Sequence, residues 1–132
     1  MKYAAFVMAF GLICLPCCAQ KMSQYDACNK TTKTQAELND CASAEAKRVD
    51  AKRKEAYAKL LAKVSTDQVA IAKVKAEEEA WINYRNAYIY AAYPLKDDDP
   101  MAYGSAVTVE IDLLIAEITQ EHIKALTRLL NQ

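Results

Sequence analysis

Glycine is almost absent. The 132 residues contain two, Gly11 and Gly104, so no glycine-rich loop can cradle a phosphate. Histidine occurs once, at His122. No Ser, Cys or carboxylate motif accompanies it as in a nucleophilic triad. No Cys-x-x-Cys-His run exists for haem attachment. Charge of one sign is missing too, with 17 basic and 17 acidic residues. That balance gives no electrostatic reason to bind nucleic acid or an anionic membrane. Strand-period segments, repeats and low-complexity tracts are absent beyond the N-terminus. These gaps argue against an enzyme and require no cofactor. They leave a small helical domain whose work is binding.

The N-terminus is a secretory signal peptide by pattern. Lys2 precedes an apolar run from Ala4 to Leu15 and a small-residue exit. The run is too short for a retained membrane span. Cleavage is expected after Ala19, with Cys17 at −3. The alternative is a lipoprotein cut before Cys18, for which Cys17 is a poor −1 residue. The expected division is therefore a signal at 1–19 and a single domain at 20–132. Cys14, Cys17 and Cys18 leave with the signal. Cys28 and Cys41 remain, and in an oxidising compartment two such thiols pair.

Residues 20–33 are polar and aperiodic, an extended lead-in carrying Cys28. Thr34-Gln35-Ala36-Glu37 matches a capping box. It opens a first long helix from about Gln35 to Val64 with the stripe Leu38, Ala42, Val49, Ala56, Leu60 and Val64. Arg53 falls inside that stripe. It is expected to snorkel or to pair with an acid from a neighbouring helix. Ser65 to Gln68 is the next break, with Ser65 and Gln68 at capping-box spacing. A second helix runs from about Asp67 to Ala92 and stops before Pro94. Val69, Ala76 and Ala80 are expected inward. Further on, Trp81, Tyr84, Ala87, Tyr88 and Ala91 form one apolar face, and Ile82 with Ile89 another. Two apolar faces predict a central helix. Ser105 is positioned to cap a third helix ending near Leu130, with Val107, Ile111, Leu114, Ile115, Ile118, Leu126 and Leu129 as its stripe. The expected fold is all-α: an antiparallel bundle of three long helices with one N-terminal disulfide. Trp81, Tyr84 and His122 are assigned to its core.

Tyrosine is what the chain has in excess locally. Tyr84, Tyr88, Tyr90, Tyr93 and Tyr103 surround the loop Pro94 to Gly104. Tyr and Arg are enriched in protein interfaces, where one ring packs and hydrogen-bonds at once. Asp97, Asp98 and Asp99 lack the spaced ligands and closing Glu of a calcium loop, so no metal is assigned. They form a solvated acidic loop or contact a basic partner. Arg85, Tyr90, Tyr93, Asp97, Asp98, Asp99 and Tyr103 are the candidate partner-binding residues.

A wider pattern joins these pieces. It comprises Cys28, Thr34-Gln35-x-Glu37-x-x-x-Cys41, Asp50, Tyr57, Trp81-x-x-Tyr84-Arg85, Gly104-Ser105 and Thr119. Together these resemble the LprI-type lysozyme inhibitor family from Cys28 to about Leu130. The resemblance implies a small exported helical protein, periplasmic or secreted, that inhibits animal-type (c-type) lysozyme by occluding its active-site cleft. It implies a protein partner, a basic lysozyme. A periplasmic immunity or envelope-stress protein directed at another toxin or enzyme is the alternative, and a small-molecule or metal carrier a third. The departures are local. Ile89 and Leu114 stand where the family usually has a second cysteine pair, which implies that the second and third helices touch there. Arg53-Lys54 replaces Leu-Asn, and His122 replaces an Arg.

Overall fold

The computed structural model describes residues 24–132. The expected signal peptide, its cut after Ala19 and the alternative anchor at Cys18 lie outside the described residues. A short helix α1 (Gln24–Asn29) leads into three long ones: α2 (Gln35–Lys63), α3 (Gln68–Ala92) and α4 (Val107–Leu130). A 3₁₀ turn, Pro100–Tyr103, lies in the α3–α4 loop. No strand occurs among the described residues. None of the described helices is long and apolar enough to cross a membrane.

The long helices run up, down and up, so α2 and α4 are parallel and α3 opposes both. At one end, Lys63 Nζ on α2 donates to the carbonyls of Leu130 (2.9 Å) and Leu129 (3.3 Å) on α4. Toward the other end, Val49 of α2 and Ala116 of α4 line one groove. Packing between α2 and α4 is the most extensive in the fold. Ala56 and Leu60 meet Leu126, with Tyr57, Val74 and Leu130 packed around them. Burying one such aliphatic side chain contributes about 1.5–3 kcal/mol.

The start of α2 follows its sequence signature. Thr34 Oγ1 accepts from the Glu37 amide at 3.2 Å. Glu37 Oε2 accepts from the amides of Thr34 (3.0 Å) and Lys33 (2.7 Å). Those contacts satisfy three donors that lack intrahelical partners. Cys28 is disulfide-bonded to Cys41, with Cα atoms 5.9 Å apart. Its neighbours are not extended: residues 24–29 form α1. Six residues are too few for a helix stable alone, and the tether to α2 holds it where no periodicity announces it.

The second long helix is not central. Only Trp81 and Ile89 of α3 are buried. Val69 is 70% exposed, and Ala76 and Ala80 also face outward. Tyr84, expected in the core, is 56% exposed, and Tyr88 is exposed beside it. The inward line of α3 is instead Val74, Glu78, Trp81, Arg85 and Ile89, spaced by three or four residues. Two charged residues occupy that line, which displaces the tyrosines to the solvent side. Trp81 and His122 are buried and stack at 4.3 Å between ring centroids. The helix starts differ as well. Asp67, not Ser65, caps α3, accepting from the amides of Val69 (2.9 Å) and Ala70 (3.0 Å). Ser105 does not cap α4, which begins after Ala106 without a side-chain cap.

Candidate functional site: a groove between α3 and α4

The acidic loop folds back onto the end of α3. Tyr90 Oη donates to Asp97 Oδ2 at 2.8 Å, and Lys96 Nζ to Asp97 Oδ1 at 2.6 Å. The same ammonium lies 4.3 Å from the centre of the Tyr90 ring. Lys96, then Tyr90, hold the Asp97 carboxyl below its ordinary range, so it stays anionic. Tyr93 and Tyr103 meet edge to face at 5.4 Å. Tyr93 Oη donates to Glu110 Oε2 (3.1 Å), and Tyr103 Oη accepts from the Leu95 amide (2.9 Å). Burial, with the Glu110 charge, raises the Tyr93 hydroxyl above its usual pKa. Asp99 accepts from the Met101 amide and caps the 3₁₀ turn. Gly104 ends that turn at φ +76°, in the left-handed region that favours glycine.

The acidic triplet therefore divides. Asp97 is clamped beside Tyr90, Asp99 is used inside the loop, and Asp98 is exposed to solvent. Tyr93 and Tyr103 brace the loop rather than stand free.

Beside this loop a groove of about 620 Å³ opens between α3 and α4. Ile89, Val107, Ile111 and Ile115 supply apolar lining, and Arg85, Tyr90, Lys96 and Asp97 supply polar lining. Ile89 thus faces α4, with Ile111 and Ile115 across from it; Leu114, the other position of the implied pair, does not line the groove. The Arg85 guanidinium lies 5.1 Å from the Trp81 ring centre and donates to Asn86 Oδ1. Stacking fixes its plane and leaves further donors for a partner. An apolar floor with a mixed-charge rim suits a protein segment, with Arg and Tyr as anchors. Of the sequence-derived candidates, Arg85, Tyr90 and Asp97 converge here.

Further along α3 and α4 lies a buried polar network. Arg53 is 4% exposed and pairs with Asp50 (2.8 Å) and, across the helix interface, with Glu78. Its guanidinium lies 4.8 Å from the Trp81 ring centre. His122 Nδ1 is 3.7 Å from Glu77, and Nε2 is 3.8 Å from Glu78. Burial lowers the imidazole pKa, with Glu78 pulling it up and Arg53 pushing it down. Burial and the adjacent Glu78 raise that of Glu77. Trp81 is thus held by His122 and two guanidinium groups. Glu77 and Glu78 sit in a run of mixed charge that carries no sequence signal of burial. The signal that locates Glu78 is Arg53, because a charge in an apolar stripe requires a counter-charge on a facing helix.

No curated protein and no solved structure matches the chain. A family model described as lysozyme inhibitor LprI matches residues 26–126. That span takes in the disulfide, α2, α3, all but the last turn of α4, the loop and the groove. On this match the chain belongs to the LprI lysozyme inhibitor family.

Proposed function

We propose that this protein is an exported inhibitor of c-type lysozyme that occludes the enzyme's active-site cleft. Family membership is the observation that carries the target class. The α3–α4 groove is the surface that best fits the task. Lysozymes of this type are basic proteins whose cleft holds two catalytic carboxyl groups, one of which must donate a proton. The exposed Asp98 and the anionic Asp97 complement a basic rim. Arg85, at the edge of the groove, is placed to reach a cleft carboxylate. A guanidinium beside the catalytic acid would hold that acid ionised and remove its proton. Inhibition then combines blocked access with a depressed acid. The protein itself performs no catalysis. Cleavage after Ala19 would deliver it to the periplasm or the medium, where such a lysozyme is met.

The experiment is a titration of the purified, disulfide-bonded protein into a muramidase turbidity assay with a panel of c-type lysozymes. Inhibition at micromolar concentration is the expected outcome. Failure to inhibit any member of the panel at that concentration would reject the proposal.

A further inference from the structure

The polar network around His122 contains more buried ligand atoms than its internal partners satisfy. Glu77 Oε2, Glu78 Oε2 and His122 Nε2 are all buried without a hydrogen-bond partner. Thr119 Oγ1, one turn before His122 on α4, is in the same condition, and Thr119 is 0% exposed. Native interiors satisfy nearly all such groups. A cluster of exceptions calls for an ion, a water or a catalytic role.

The geometry favours an ion. One ligand atom from each of Glu77, Glu78 and His122 lies within 4.8 Å of the others. His122 Nε2 and Glu78 Oε2 are 3.8 Å apart. An ion about 2.1 Å from each would fit between them at an angle of about 130°. Glu77, which approaches the ring from the Nδ1 side at 3.7 Å, would complete the set after a side-chain shift, because two such bonds span at most about 4.2 Å. We propose that Glu77, Glu78 and His122 form a binding site for a divalent transition-metal cation of the zinc class. One nitrogen and two carboxylate oxygens suit zinc better than calcium or magnesium, which prefer oxygen alone.

The surroundings supply what a metal site needs beyond its ligands. Arg53 occupies the other oxygen of Glu78, Oε1, and so orients the carboxylate without covering Oε2. Trp81 stacks on His122 at an interplanar angle of 10° and fixes the ring. Such outer contacts tune metal affinity about 10–100-fold. Charge also favours occupancy. Glu77 and Glu78 both lie against His122, and Arg53 is the one buried cation paired with either of them, while Asp50 is shared between Arg53 and Lys54. Solvent reaches the cluster at Glu77, whose side chain is 38% exposed, and a cleft lined by Tyr84, Tyr88, Glu117 and Glu121 has Trp81 and His122 in its wall. Occupancy would clip α3 to α4, the two helices that also wall the groove.

The chain's own fluorophore reads the test. Trp81 is the only tryptophan, and it stacks directly on the proposed ligand His122. The disulfide-bonded protein, stripped with chelator, is titrated with zinc(II) by calorimetry and with cobalt(II) by fluorescence. Expected are one ion per chain at micromolar affinity or better, quenching of Trp81 by cobalt, and a higher melting temperature with zinc. Glu77→Gln conserves shape and changes a part-exposed side chain. It should weaken binding at least about ten-fold while the chelator-treated variant keeps its fold. His122→Ala should abolish binding. The proposal is overturned if neither ion binds in the micromolar range. It is equally overturned if Glu77→Gln binds as tightly as the parent chain, or if cobalt binds without quenching Trp81.

Discussion

Removing Arg53 should unfold this protein more readily than removing any surface charge. The guanidinium is 5% exposed, and its cross-helix partner Glu78 is 13% exposed. Arg53→Ala leaves Glu78 and Asp50 partly buried, and Asp50 keeps only the exposed Lys54 at 3.0 Å. Breaking one side of such a pair costs about 3–5 kcal/mol. The lost stacking over the buried Trp81 ring adds up to about 2 kcal/mol. A domain of this kind has about 5–15 kcal/mol in total, so the variant should be marginal. The double change Arg53→Met with Glu78→Leu removes both charges and keeps the volume. It should recover most of the loss, because an apolar pair needs no compensation. Lys59→Ala, which cuts an exposed pair with Glu55, should cost at most about 0.5 kcal/mol. The assay is urea unfolding in chelator, with the disulfide intact, followed by Trp81 fluorescence and circular dichroism. An Arg53→Ala loss no larger than that of Lys59→Ala would refute the buried-pair account. A double variant as unstable as the single would contradict the claim that an apolar pair of similar volume can replace the ion pair.

Reducing the disulfide, or replacing Cys28 and Cys41 by Ser, should cost roughly 3 kcal/mol for so short a loop, measured by the shift in urea midpoint. Limited proteolysis should then cut first near α1. Leu126→Ala removes a side chain that is 0% exposed at the α2–α4 contact. The loss should be about 2–5 kcal/mol by the same denaturation assay. The backbone amides of Lys33, then Thr34, hold the Glu37 carboxyl below its ordinary value of 4.5. A depressed carboxylate contributes stability above its unfolded pKa and loses it as pH falls through the folded value. Glu37→Gln should therefore flatten the decline in melting temperature below about pH 4.5; an unchanged acid limb would contradict the cap's role.

The three long helices, the α2 cap and the Cys28–Cys41 bond were legible because each depends on residues near one another in sequence, whereas α1 was not. Arg53 was legible as an anomaly, and the expectation of an acid from a neighbouring helix is met by Glu78. The rotation of α3 was not. Its buried line includes Glu78 and half-buried Arg85, and an apolar-pattern search skips both. Large tyrosines then drew the face toward Tyr84 and Tyr88, which solvent in fact covers. The polar cluster around His122 was invisible for a related reason. Glu77 and Glu78 meet His122 only through tertiary packing, across more than forty residues of chain. In the loop, three consecutive aspartates look equivalent in sequence, yet their hydrogen bonds give them separate roles.

The central claim is that the α3–α4 groove docks a lysozyme, and inhibition constants of groove variants test it most directly. Arg85→Ala and Tyr90→Ala should each raise the inhibition constant against a c-type lysozyme at least about ten-fold, or roughly 1.4 kcal/mol. Their circular dichroism should match the parent chain, and Lys59→Ala should leave the constant unchanged. Inhibition by both groove variants at the parent constant would contradict the account.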